Sequence, residues 1–598
     1  MSHTLARGFD RDTDIIPGGA EGRVQIVWYV DYACPHTRRM RDIIRRSPER
    51  FGGQNASVAL RFILPDDDSS GSELAARAAF AAGRQGRFWD MHEALFRAPP
   101  TYTPMRVMRI AQRLGLDMAR FRADLDSEAA REKLAADQAA LGEARGLHMP
   151  MIFIDGRYYE GGWDEQSLIE AIEKPLGVRI ALASEDFFHW AASAGLVLIL
   201  ATLAALLVAN LGGHDWYEGF RETAFGLSFG GAEFSLSLEY WINDGLMALF
   251  FLLVGIEIKR EIVFGELSTR DRAILPVLGA LGGMVVPALV YMAFNAGTDT
   301  AHGWGVPMAT DIAFTLGIMA LLGDRVPTSL KVFVSALAIA DDLGAILVIA
   351  IFYGEGFHME AFVLAMAVFA LMLGLAVGRV YSRMPYLLLG VALWYYVHEA
   401  GLHATLAGVL TAAAIPSRRP ADAKAVAAQA AAIVDGEPDA TQVGDRAVRR
   451  LQNAVSRLRE PGFHLQQALE SWSNFLILPL FAFFNTGILV IGSSFSPLAP
   501  ESLGVMLGLL IGKPLGIVGI VFIATKLGIA RLSSEISWMQ MIGAGFLAGV
   551  GFTMSIFISS AAFSGAELES VKLAVLLASA GAAVTGSLLL VLAGGRAQ

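Results

Sequence analysis

Five ionisable residues interrupt otherwise apolar stretches of the sequence: Asp244, Asp311, Asp341, Asp342 and Lys513. An ionisable group inside a membrane span is costly and marks function by default, although any one alone could be an interhelical polar contact. Five together, four of them acidic, are harder to explain that way. Asp341 and Asp342 lie in residues 336–350 (ALAIADDLGAILVIA), where adjacent helix positions point about 100° apart. One carboxylate can face a water-filled cation path while its neighbour turns to another helix. There Lys513, in residues 512–516 (GKPLG), reads as the available intramembrane cation. A hard cation such as Na+ or Li+ is best met by oxygen ligands, and carboxylates also exchange protons. Buried carboxylates this close together cannot both stay ionised without a partner, so a proton and a cation compete for the pair. That competition is a sufficient mechanism for exchange.

Two apolar runs look broken on purpose. Residues 303–323 (GWGVPMATDIAFTLGIMALLG) place Pro307 and Asp311 inside a span, and residues 543–555 (GAGFLAGVGFTMS) hold four glycines and Thr553. Non-helical backbone at membrane depth is tolerated only where it packs in protein or lines a cavity. Glycines alone could serve close helix packing. With Asp311 present, opposed half-helices are the stronger reading, their N-terminal ends neutralised by Asp311 and their C-terminal ends by Lys513. If spans three to five and ten to twelve are triplets, these two are the middle members. Such a pairing is the sequence pointer to an inverted-repeat site with two broken helices crossing.

The elements that carry these residues follow from composition. The 598 residues are 54% hydrophobic and 17% charged, too apolar for a soluble enzyme of that size. Roughly half of the charges precede about residue 180, which predicts a soluble domain over 1–180 and a membrane domain over 181–598. Runs such as 192–210 and 573–592 meet the ~20-residue requirement of a bilayer crossing, and about twelve spans are expected. The net charge of −10 excludes a nucleic-acid partner. The start of the sequence is polar and shows no secretory signal, so the first domain is expected in the cytoplasm. Lys259, Arg260, Arg270, Arg272, Arg325, Lys331, Arg379, Arg383, Lys526 and Arg531 then fall in cytoplasmic loops, leaving Arg221 and Lys572 for the outside loops. Both termini are expected in the cytoplasm. Residues 417–463 become a cytoplasmic loop between spans eight and nine, read as solvated helix or disorder. Outside, residues 226–238 read as a hairpin around Gly230 and Gly231.

Residues 22–177 follow an α/β order. Strands are expected at 23–31, 56–64, 151–155 and 157–160, and helices at 72–82, 118–141 and 165–173. Cys34 is the only cysteine, which rules out a disulfide within one chain.

Residues 241–261 (WINDGLMALFFLLVGIEIKRE), 309–323, 338–345 (AIADDLGA), 403–409 (HATLAGV), 478–483 (LPLFAF) and 512–516 resemble the NhaA family of sodium/proton antiporters. The likeness covers about residues 185–595. It implies an antiporter of the bacterial inner membrane in which Asp342 is the main cation- and proton-binding carboxylate and Asp341 the partner of Lys513. It also implies that Asp311 and Thr310 mark the crossing of the unwound chains, and that Glu257, Glu261 and His403 serve the pH response. Electrogenic exchange, with more protons entering than sodium leaving, and a homodimer using the outer hairpin are further implications. Where the family commonly has an acid and histidines before the ninth span, this chain has residues 465–472 (LQQALESW), with Gln466 and Gln467 unable to titrate. No cofactor is implied.

The first domain resembles the thioredoxin fold in its DsbA-like form. Residues 31–37 (DYACPHT) sit where such proteins carry a Cys-Pro-His-Cys site, with Thr37 replacing the second cysteine, and Met149–Pro150 matches the cis-proline position. A thiol at a helix N-terminus is more nucleophilic, so Cys34 beside Pro150 is a redox candidate, with glutathione or a thiol protein as partner. A binding or regulatory domain is the equal alternative. Two other readings of the whole chain are weaker. A membrane-tethered thiol oxidoreductase leaves the buried carboxylates unexplained, and a cation channel lacks a filter repeat.

Overall fold

At the centre of the first unit, β1 (Val24–Val30) runs parallel to β2 (Ala56–Phe62) and antiparallel to β3 (Met151–Ile154), which pairs with β4 (Arg157–Tyr158). The sheet order is β2-β1-β3-β4. A parallel pair needs a crossover, supplied here by α1 (Pro35–Arg50). Both faces of β1 are covered. Ile26, Trp28 and Val30 pack into the larger core, while Val27 and Tyr29 pack with Leu141 and Phe153 on the other side. Arg61 on β2 is fully buried and grips Asp14 through two hydrogen bonds of 2.8 and 2.7 Å, fastening the preceding segment to the sheet.

One expected element divides. The helix read over 118–141 is two, Met118–Leu125 and Glu128–Ala139. The Ser127 hydroxyl accepts the Ala130 amide at 3.2 Å and so starts a second helix, a cap that the Ala-rich composition conceals. The helix expected over 165–173 falls largely outside the described residues.

The computed structural model describes residues 5, 7–10, 13–16, 24–50, 56–65, 70–141, 149–164, 167–168, 171, 193–229, 232–354, 356–416, 422–435, 445–456, 461–490 and 495–594. The chain divides into two units, Met1–His189 and Trp190–Gln598.

The second unit is almost wholly helical. Six helices are long and apolar enough to cross a membrane: Ser193–Asn210, Arg270–Asn295, Thr328–Phe352, Met359–Val377, Pro500–Lys526 and Gly565–Gly594. Two bent pairs, Asp299–Met308 with Ile312–Leu321 and Trp538–Ala548 with Phe552–Ala562, each turn by 41° and raise the number to eight. Length and composition alone do not reach twelve. Met247–Val263 and Arg383–Glu399 have 17 residues each, while Leu406–Ala414 has 9 and Leu478–Asn485 has 8. Among the described residues three internal clusters hold the bundle together, one around Phe251, Phe481 and Phe557, one around Leu330, Val521 and Leu547, and one around Leu252, Met372 and Leu393. Large apolar side chains point outward elsewhere, as at Val377 and Leu388.

The hairpin forms as β5 (Ala224–Phe229) against β6 (Ala232–Ser237), with Phe229 opposite Ala232; residues 230–231 are outside the described set. Within 417–463 the described residues form helices Ala423–Asp435 and Asp445–Ser456 and the start of Pro461–Trp472.

Candidate ion-exchange site

The two bent pairs break over three residues each, 309–311 and 549–551, and their breaks cross. The Asp311 amide donates to Val550 O at 2.7 Å, and the Thr310 hydroxyl to Ala548 O at 2.9 Å. Thr315 donates to Leu547 O at 3.0 Å, and Ser555 returns a bond to Val306 O at 2.8 Å. Each unwound chain thus satisfies backbone groups that the other leaves open, as non-helical backbone in a membrane requires. Glycine is needed for this approach. A Cβ on Gly551 would lie 3.0 Å from Ala309 O across the crossing, and one on Gly549 would lie 2.5 Å from Leu509 O on the neighbouring Pro500–Lys526.

One carboxylate caps both N-terminal half-helix ends. Asp311 Oδ1 accepts the Phe314 amide at 3.0 Å, while Oδ2 accepts the Thr553 amide at 3.1 Å and the Thr553 hydroxyl. Negative charge belongs there, because unpaired amides give a helix N-terminus a partial positive charge. At the C-terminal end of Asp299–Met308, the carbonyl of Met308 accepts from Lys513 Nζ. The expected division of labour between Asp311 and Lys513 is therefore present at these ends.

Lys513 also pairs with Asp341 Oδ2 at 2.7 Å, with both side chains buried. Asp341 and Asp342 are each 1% exposed. Asp341 Oδ1 and Asp342 Oδ1 are buried without a hydrogen-bond partner among the described residues. The charged groups acting on Asp342 are Asp341, Asp311, Lys513 and Glu257. Neighbouring carboxylate oxygens with open lone pairs, in a site where further negative charge is costly, suit a proton or a small hard cation.

The remaining expected residues are spread out. Glu257 and Glu261 are half-buried, one turn apart on Met247–Val263. His403 Nε2 lies 2.7 Å from Tyr353 O, and its ring meets the Phe557 ring edge-on. Asp244 is half-buried in the π-helical turn Trp241–Leu246, and its carbonyl accepts from Trp394 Nε1 at 3.0 Å. Gln466 accepts from Arg260 at 3.3 Å. Sequence reasoning misplaced Lys572. Read as an outside-loop residue, it is 4% exposed and sits within the helix Gly565–Gly594. The sequence does not mark where that helix starts, so its burial is read only from the structure.

In the first unit Cys34 is a free, half-buried thiol immediately before α1. The turn is fixed by the Asp31 carboxylate, which accepts the Ala33 amide at 2.9 Å and the Ser72 hydroxyl at 2.6 Å. Thr37 is fully buried, and its hydroxyl has no partner among the described residues. Met149–Pro150 is cis. His92 meets the Tyr32 hydroxyl at 2.9 Å, and burial pushes its imidazole down to about 3, so the ring stays neutral at physiological pH.

The family Na+/H+ antiporter 1 matches residues 185–590, a stretch that contains the whole crossing and its carboxylates. The chain belongs to the NhaA family of Na+/H+ antiporters. A DSBA-like thioredoxin domain matches residues 25–174. The Na+/H+ antiporter NhaA of Nitrosospira multiformis is 39% identical over 582 residues, covering 94% of this chain and 92% of that protein. That likeness runs into the thioredoxin-like unit as well. The Na+/H+ antiporter NhaA of Oleidesulfovibrio alaskensis is 45% identical over 415 residues, 68% of this chain and 92% of that one. Among solved structures, a thioredoxin-like oxidoreductase from Silicibacter pomeroyi is 26% identical. It covers 28% of this chain and 97% of that chain, with a TM-score of 0.25. The chain is a multi-pass membrane protein with a DsbA-like unit, and the antiporter reading prevails over that of a tethered thiol oxidoreductase.

Removing one member of a buried ion pair strands the other, at a cost of about 3–5 kcal/mol. Asp341→Asn is expected to lower thermal stability by that order, and Lys513→Ala to be strongly non-additive with it in a double-mutant cycle. Additive losses would show that the pair is not an energetic unit.

Proposed function

We propose that the chain exchanges intracellular Na+, or Li+, for external protons, with Asp342 and Asp341 as the alternating cation and proton site. The observation that carries this reading is the asymmetry of the pair: Lys513 engages Asp341 Oδ2, while Asp341 Oδ1 and Asp342 Oδ1 are buried without a hydrogen-bond partner among the described residues. Protonation relieves the repulsion between the carboxylates, and so does a bound cation. Each excludes the other, and movement of the loaded site between the two sides of the membrane makes the competition an antiport. Asp311 and Thr310 hold the crossing on which the site rests. Two carboxylates facing one monovalent cation support electrogenic exchange, more protons entering than sodium leaving. Glu257 acts electrostatically on Asp342, which supports its role in pH response, with Glu261 and His403 as the other members.

We place the protein in the bacterial inner membrane with both termini and the 417–463 loop in the cytoplasm, and the functional boundary near residue 180. Met247–Val263, Arg383–Glu399, Leu406–Ala414 and Leu478–Asn485 would complete twelve spans with the six long helices and two bent pairs. The β5–β6 hairpin, where Phe225 is 60% exposed, is the proposed homodimer contact.

Adding NaCl to acidified vesicles that contain the protein is expected to dissipate the pH gradient. Asp342→Asn removes a ligand charge and a titratable proton together and is expected to abolish the response; a folded Asp342→Asn protein with full sodium-dependent flux refutes the site. The first domain is proposed to be regulatory through Cys34. Oxidised glutathione would transfer one glutathionyl group to the thiol, forming the mixed disulfide and releasing reduced glutathione. Exchange is then expected to change in the wild type and not in Cys34→Ser. Identical rates and pH profiles in oxidised, reduced and Cys34→Ser proteins would leave the domain a binding module.

A further inference from the structure

The first turn of α1 carries one buried donor with nothing to bond. Cys34 is half-buried, Pro35 and His36 are exposed, and Thr37 is fully buried. The Arg38 amide donates to Cys34 O at 3.2 Å, the bond that opens α1. Cys34 is therefore the N-cap and Thr37 the third helical residue. Side chains in a helix lean towards its N-terminus, and one at the third position reaches back over the cap. Thr37 thus covers the turn that holds the Cys34 sulfur, while His36 stays on the solvent side.

A helical threonine ordinarily returns its hydroxyl to the carbonyl three or four residues back. Thr37 Oγ1 does not; it is buried without a hydrogen-bond partner among the described residues. The charged side chains that flank the motif are committed elsewhere. Asp31 Oδ1 accepts the Ala33 amide at 2.9 Å and the Ser72 hydroxyl at 2.6 Å, and Arg38 donates to Tyr32 O at 2.9 Å and to the Tyr102 hydroxyl at 2.6 Å. A neutral thiol is a weak acceptor and leaves a neighbouring donor idle. A negative sulfur is a strong one, and a buried donor beside it gains a charge-assisted bond. The amides of His36 and Thr37, which precede the opening bond of the helix, favour the same charge. A donor idle at rest and engaged as charge develops speeds the step in which that charge appears.

We infer that Thr37 is the hydrogen-bond donor to the Cys34 sulfur in thiol–disulfide exchange, and that it makes Cys34 a single-step exchanger. This rests on the proposed glutathionylation of Cys34. In the forward step the Cys34 thiolate attacks one sulfur of oxidised glutathione. The glutathione S–S bond breaks, and the departing thiolate takes up the proton that Cys34 gave to solvent. In the reverse step an outside thiolate attacks the glutathionyl sulfur and Cys34 leaves as the thiolate. The Thr37 hydroxyl serves the Cys34 sulfur in both directions. A hydroxyl does not displace a thiol from a disulfide, so no second step follows within the chain, and the adduct persists until an outside thiol removes it.

The test follows glutathione on the full-length protein by mass spectrometry, with oxidised glutathione for attachment and reduced glutathione for release. Thr37→Val keeps the shape and removes the donor. Attachment and release are each expected to slow about tenfold, the order of one hydrogen bond to a charged group, while Thr37→Ser keeps the wild-type rates. A purely structural Thr37 predicts equal rates in all three proteins, because deleting an unpartnered buried hydroxyl costs the fold little; equal rates overturn the inference. Thr37→Cys supplies a reading that does not depend on the valine variant folding. Its new thiol is expected to displace glutathione from Cys34, so that each oxidised glutathione yields two reduced molecules and no adduct remains. An adduct in Thr37→Cys as long-lived as that of the wild type shows that position 37 does not face the sulfur and overturns the inference equally. Wild-type protein that takes up no glutathione at Cys34 would sink the regulatory reading itself, an outcome distinct from both.

Discussion

Helix ends that stop inside a membrane are the constraint on which the rest of this structure depends. The amides opening Ile312–Leu321 and Phe552–Ala562 have no helical partners, and a lone unsatisfied polar group in hydrocarbon costs several kcal/mol. Asp311 answers both ends with one carboxylate, and Lys513 answers the Met308 carbonyl. Once Lys513 is fixed there, its charge needs a counterpart, and Asp341 supplies it at 2.7 Å. Among the described residues the Oδ1 of neighbouring Asp342 is then left without a hydrogen-bond partner, which is the condition that the proposed exchange of an ion and a proton requires. In that proposal, transport chemistry is the remainder of a structural neutralisation.

Much of this was legible in the sequence because the rules that govern buried charge are strict. Adjacent aspartates inside an apolar helix had to diverge, so one of the two could be expected to meet Lys513; that Asp341 is the one was implied by the family resemblance, and the structure pairs it with Lys513 at 2.7 Å. Pro307 with Asp311, and the glycines at 543, 545, 549 and 551, marked the two broken spans, since backbone unwinds at membrane depth only where protein partners satisfy it; the structure puts the breaks at 309–311 and 549–551. Which chain atoms would cross was not legible. The bonds from Thr310 to Ala548 and from Ser555 to Val306 depend on packing between segments more than 230 residues apart. The Lys572 burial was missed because a charge near the end of an apolar run looks like a loop residue until the start of its helix at Gly565 is known.

The first unit was legible for a different reason. Its β-branched strands and helical excursion announce an α/β sheet, and the strands come in the expected order along the chain with β3 and β4 as the hairpin, while the central place of β1 between β2 and β3 is read only from the structure. The division near Asp126 was hidden, because capping by Ser127 outweighs helix-favouring neighbours and composition does not report it. Substitution of Thr37 for a second thiol leaves a buried hydroxyl at the place where a dithiol would close. This unit therefore keeps a thioredoxin-like frame around a single thiol.

Competition between sodium and protons for one carboxylate pair is the account's central claim, and binding tests it without any vesicle. Purified protein in weakly buffered detergent solution can be titrated with NaCl while released protons are counted with a pH indicator. The account predicts proton release that saturates with Na+ binding and disappears in Asp342→Asn. Sodium binding with no accompanying proton release, or release that persists in Asp342→Asn, would contradict it.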